Sequence, residues 1–238
     1  MNPILAGVAL AVTVGAVLAI SARESRAGLV GLAIALAAAP FLAAPMPNVS
    51  TLAMRVIGAA LAAYLVRAAV ATGPGLPARP LSEPTRGGSQ LGWPAEGLLA
   101  IGAWIVGVAV SAQLEVLSPA GSGTPPGDVF GLLTPEALAT GAGLASIVLG
   151  LVATFSARSA VRTTIGALIL SQGLLLVRIG VAGAPSDLEQ LAGVALLLAI
   201  AIAGGVLLGA EGQRGADDSG TEASPRLSGS GRVDPGDR

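Results

Sequence analysis

The chain contains no cysteine and no histidine. Those absences exclude disulfides, thiol nucleophiles, zinc-finger patterns, histidine-ligated haem and every triad that works through an imidazole. Lysine is absent too, so all 13 basic residues are arginine. Charge is scarce: only 11% of the 238 residues are charged, where a soluble domain carries about 25%. Aromatic residues make up 3%, and the net charge is −1. That balance gives no basic surface, so no nucleic-acid partner is expected. There is no Walker loop, HExxH or GxSxG pattern, and the glycine clusters lie in linkers. With no nucleophile–base pair and no metal-ligand set, neither an enzyme nor a bound cofactor is expected.

What is present is hydrophobicity, at 53% of residues with a mean hydropathy of +0.78. It is gathered into seven runs at Pro3–Ile20, Ala27–Ala44, Leu52–Ala71, Ala95–Gln113, Leu138–Phe155, Ala160–Gly180 and Leu188–Ala210. Each is long enough to cross a hydrocarbon core of roughly 30 Å at about 1.5 Å per residue. The runs are continuous rather than alternating, so they read as helices and not as strands of a barrel. The fold class is therefore all-α, a polytopic membrane protein of about seven transmembrane helices. The first run lacks a basic segment before it and reads as a retained helix.

The organisation follows from these runs. Residues 1–72 make a three-helix unit and 73–94 a Pro/Gly-rich linker. A connecting helix at 95–113 leads to a loop at 114–137. Residues 138–210 make a second three-helix unit, and the apolar-poor tail at 211–238 reads as disordered. In "TPE", Thr134 is placed to cap a helix that starts at Pro135. Arginines concentrate on one side: Arg23, Arg26, Arg79, Arg86, Arg158, Arg162 and Arg214, with Arg67 near that face. Arg55 and Arg178 alone fall on the other side, each close enough to a helix end to snorkel. The positive-inside rule then puts the N-terminus outside and the C-terminus in the cytoplasm, in a plasma (inner) membrane.

Two stretches are alike. "LAISARESRAGLVGLAIAL" lies over "VATFSARSAVRTTIGALIL" when Ser21 is set on Ser156, 135 residues later. Gly31 then falls on Gly166. Four spans lie within that offset, and an even number preserves direction, so a duplication would give parallel repeats. Chance similarity among Ala, Leu and Gly is the competing explanation. Either way, Arg23, Arg26, Arg158 and Arg162 serve as topology anchors at the headgroups.

Few polar residues lie within the runs. Gln172 is the deepest, with Ser171 beside it and Thr163 and Thr164 about two turns back. Its expected role is an interhelical hydrogen bond of about 0.6–2 kcal/mol, and the alternative is a link in a polar pathway. Glu96, beside Trp93 and Pro94, reads as a helix-start charge among the headgroups, with a cavity-facing role as the alternative. Tyr64 and Trp93 suit a sparse aromatic belt. Arg178 precedes Asp187 and Glu189 across a short turn, where an ion pair is feasible.

The last three helices carry a resemblance. "SARSAVR", "IGALILSQGLLLV" and "DLEQLAGVALLLAIAIAGG" are similar to a family of small three-span membrane proteins. It includes the C-type small component of multisubunit cation/proton antiporters and the K-type (4L) component of NADH:quinone oxidoreductase. Leu168 stands where oxidoreductase members carry a second-helix Glu, and Leu175 where they carry Asn. The acidic residue of the third helix is missing as well. The resemblance thus implies an accessory, non-catalytic subunit of an ion-translocating complex, partnered by the bilayer and by larger membrane subunits. A membrane scaffold without transport and a stand-alone small transporter are the other readings.

Overall fold

The computed structural model describes residues 3–22, 25–43, 48–72, 92–117, 133–157, 159–183 and 185–222. Among these every regular element is helical: α1 (Pro3–Ser21), α2 (Ser25–Ala38), α3 (Val49–Thr72), α4 (Trp93–Leu117), α5 (Pro135–Phe155), α6 (Ala160–Ala182) and α7 (Asp187–Glu222). All seven expected runs form helices, and six are long and apolar enough to span a membrane. The shorter one is α2, because Pro40 lacks an N–H and clashes with an α-helical carbonyl four residues back. The chain tightens there into a 3-10 turn at Ala39–Leu42. The 14 α-helical residues and that turn still reach about 29 Å at roughly 1.5 and 2.0 Å per residue.

Thr134 caps α5 as its sequence suggests, its side-chain oxygen accepting the Ala137 N–H at 3.2 Å. The tail departs from expectation. Helix α7 runs on to Glu222, so the segment 211–222 is helical rather than disordered. Glu, Gln, Arg and Ala propagate an existing helix at little cost, which outweighs the glycines among them. Residues 223–238 lie outside the described residues.

Odd-numbered helices run one way and even-numbered helices the other. One apolar cluster joins Ala19, Leu29, Val66, Ala153, Ile165 and Ala201. A second, towards the opposite end, joins Ala9, Leu42, Leu138, Leu176 and Ile179. Helix α5 is the centre, 61% of its span being buried, whereas α4 and α7 bury 17% and 22% of theirs. Ile101, Ile105, Ile202 and Val206 face outward and exposed. Such apolar outer faces suit hydrocarbon, and the chain is a helical integral membrane protein.

The 135-residue offset reappears in the packing. A Cβ at Gly15 would lie 2.8 Å from the Ala35 nitrogen and 2.9 Å from the Gly31 oxygen. A Cβ at Gly150 would lie 2.7 Å from the Leu170 nitrogen and 2.8 Å from the Gly166 oxygen. Each partner in the second hairpin is 135 positions after its counterpart in the first. Close backbone approach through glycine holds both hairpins, α1–α2 and α5–α6. The Ser21 and Ser156 hydroxyls likewise each bond to the carbonyl four residues back, on Val17 and Val152. Helices α3 and α7, which run parallel, turn the same face inward. Ala62 and Val66 on one share a cluster with Leu197 and Ala201 on the other, again 135 positions apart.

Candidate functional site

Polar groups collect at the two ends of the bundle. At the end where α4 and α6 begin, the Glu96 side chain is fully buried. The Arg162 side chain, 12% exposed, donates Nη2–H to Glu96 Oε1 at 3.3 Å. Glu96 thus does not stand open at the surface of the bundle. Its helix face turns inward onto α6, where an opposite charge compensates the burial. The other Glu96 oxygen, Oε2, has no hydrogen-bond partner. Arg162 is correspondingly more than a topology anchor. Of the other three, Arg26 is exposed at the start of α2, whereas Arg23 and Arg158 lie outside the described residues. Arg67 is exposed, as are Tyr64 and Trp93.

The same end holds a cap made across the fold. Ser159 precedes α6 but its side chain makes no capping bond. The Glu211 carboxylate, 51 residues on in sequence, accepts the Ala160 N–H at 3.0 and 3.2 Å. A negative group at a helix start satisfies an orphan donor and opposes the positive end of the helix dipole. We expect Glu211→Ala to cost about 0.5–2 kcal/mol, visible as a melting temperature a few degrees lower in detergent. Glu211→Gln, which keeps an acceptor, should recover most of it.

At the other end, a cavity of about 20 Å³ lies between α3, α6 and α7. Arg55, Gln172, Glu189 and Gln190 are the polar residues on its wall, and Leu36, Pro40 and Leu175 are among the apolar ones. Arg55 is 7% exposed, so it points into the bundle instead of snorkelling. Its position on α3 explains this: with Ala59, Ala62 and Val66 it occupies the face, repeating every three to four residues, that α3 turns to the core. Gln190 holds the equivalent place on α7, 135 residues later, and is also buried. It donates Nε2–H to the Pro185 carbonyl at 3.0 Å. Beside the cavity, Arg178 donates to both Glu189 oxygens at 2.7 Å and to the Gly183 carbonyl at 2.9 Å. The expected pair across the α6–α7 turn therefore forms, through Glu189.

Gln172 and Ser171 are both buried, at 4% and 5% exposure. Ser171 donates to the Leu168 carbonyl of its own helix. Gln172 lines the cavity, and its side chain bonds to no other described residue. The interhelical hydrogen bond expected of it is not present among the described residues. The structure thus brings Gln172 together with Arg55 and Gln190, which the sequence does not single out for this, and sets Glu96 apart with Arg162. A shared offset of 135 between Arg55 and Gln190 is the available signal. A much larger, open cleft between α4 and α5 is lined by apolar residues such as Leu98, Gly102, Val106 and Leu144 and offers no chemistry. No group of described His, Cys, Asp or Glu residues is placed to hold a metal.

No protein-family model, curated protein or solved structure matches this chain.

Proposed function

We propose that this chain is an accessory, non-conducting subunit of an ion-translocating membrane complex, antiporter-like or NADH:quinone-oxidoreductase-like. It is built from two parallel three-helix units joined by α4. One observation carries the non-conducting part: an apolar layer separates the two polar ends. Leu36, Leu149, Leu168, Ile169 and Val66 fill the interior between them, each at most 1% exposed. Buried hydroxyls do not bridge that layer. Ser146, Thr164 and Ser171 each donate to a carbonyl of their own helix. Proton or cation carriage needs ionisable or strongly polar groups in succession, and the motif positions Leu168 and Leu175 are apolar. The likeness of α5–α7 to small antiporter and oxidoreductase components supplies the complex, and the arginine bias supplies an N-terminus-outside orientation in a plasma membrane.

Purified protein in proteoliposomes should show no proton, sodium or potassium flux above that of protein-free vesicles. Flux carried by this chain alone, and abolished by Gln172→Leu, would overturn the reading and make Gln172 a pathway residue.

A further inference from the structure

Among the described residues, the cavity between α3, α6 and α7 has a charge without a counter-charge. Arg55 is 7% exposed and its Nη1 has no hydrogen-bond partner among the described residues. Among the described residues its guanidinium makes no ion pair. A guanidinium does not shed its proton in a protein, so it cannot escape the cost of burial by becoming neutral. That cost is several kcal/mol in order of magnitude unless an opposite charge is near.

The carboxylate on the wall does not supply it. Glu189 directs both oxygens to Arg178 at 2.7 Å, and Oε2 also accepts the Ser186 N–H at 2.8 Å. Asp187, at the same turn, is exposed and does not line the cavity. Among the described residues here, two guanidiniums against one carboxylate leave one positive charge. Gln190 turns its N–H group to Pro185 and is left with an acceptor, Oε1, that has no donor among the described residues. One neutral acceptor does not offset a full positive charge. Arg55 and Gln172 both line the cavity and carry N–H groups that no described residue accepts, and both are more than nine-tenths buried. The cavity of about 20 Å³ has room for one water-sized particle, since a water needs about 10–15 Å³ on this measure.

We propose that this cavity binds one small monovalent anion of the halide class, held between the Arg55 guanidinium and the Gln172 amide. The small volume suits a compact ion, and the charge favours an anion over water. The proposal stands apart from the accessory-subunit reading, because an anion held in this way stabilises the α3–α6–α7 contact whether or not a partner is present.

The test is a melting series on the full chain in a non-ionic detergent free of phospholipid. Sodium chloride is titrated against sodium gluconate at constant ionic strength, since gluconate is too large for the cavity. The expected result is a saturable rise of roughly 3–8 °C with chloride, lost in Arg55→Gln. In Gln172→Leu, which keeps the cation, the midpoint should move about tenfold higher, as expected when one hydrogen bond to a charged group is lost. That second variant decides the matter if Arg55→Gln does not fold. No chloride-specific rise, an equal rise in Arg55→Gln, or an unchanged midpoint in Gln172→Leu would overturn the proposal and leave water as the occupant.

Discussion

Gly150→Ala is expected to destabilise the protein by about 1–3 kcal/mol, and Gly150→Leu to abolish the folded species. Helix propensity argues the other way, since alanine is favoured over glycine by about 1 kcal/mol inside a helix. The close crossing decides the sign. An added Cβ meets two backbone atoms of α6, the Leu170 nitrogen at 2.7 Å and the Gly166 oxygen at 2.8 Å. Backbone cannot rotate away, so the helices must part, and α5 is the helix with most of its surface buried. The same holds along the hairpin at Gly143, where a Cβ would lie 2.7 Å from the Val177 nitrogen. Gly15→Ala should behave alike in the first hairpin. Gly102 is the control, because a Cβ there meets nothing within 4 Å. Gly102→Ala should be neutral or slightly stabilising. Thermal melting and size-exclusion profiles in detergent measure both effects. Equal behaviour at Gly150 and Gly102 would reject the glycine crossing.

The second large effect is at the buried pair. Arg162→Leu should cost about 3–5 kcal/mol, because it strands a buried carboxylate. Glu96 is wholly buried, and its carboxylate pairs with Arg162 through one oxygen while the other has no partner. The double variant Glu96→Leu/Arg162→Leu should be much less harmful than Arg162→Leu alone, since it removes the stranded carboxylate as well. A double-mutant cycle read by thermal melting measures the coupling. Additive losses would mean that the two side chains do not depend on each other.

The helices are legible in the sequence and their inner faces are not, for one physical reason. In a soluble helix, apolar periodicity marks the buried face. In a membrane both lipid and core are apolar, so Ile101 on the outside and Leu168 on the inside look alike. The runs, the Thr134 cap and the Arg178–Glu189 pair can be read because they depend on length, local spacing and nearness in sequence. Glu96 and Arg55 are misplaced by sequence alone because a charge near a helix end can snorkel outward or turn inward, and only the neighbouring helix decides. Glu211 falls in what reads as a disordered tail because its partner, the Ala160 N–H, lies 51 residues away. The offset of 135 is visible in "SAR" and in Gly31 and Gly166. Its reach to Gly15 with Gly150, and to Arg55 with Gln190, needs three dimensions, because Ala and Leu exchange freely between them.

Service inside a larger ion-translocating complex, as proposed above, requires partner subunits that stay with this chain. The most direct measurement is purification of the tagged full-length protein from its own host in mild detergent, followed by mass spectrometry of what accompanies it. Large antiporter-like or quinone-oxidoreductase-like membrane subunits should be recovered with it in stoichiometric amount. Recovery of the protein alone, as monomer or homo-oligomer, would contradict the proposal.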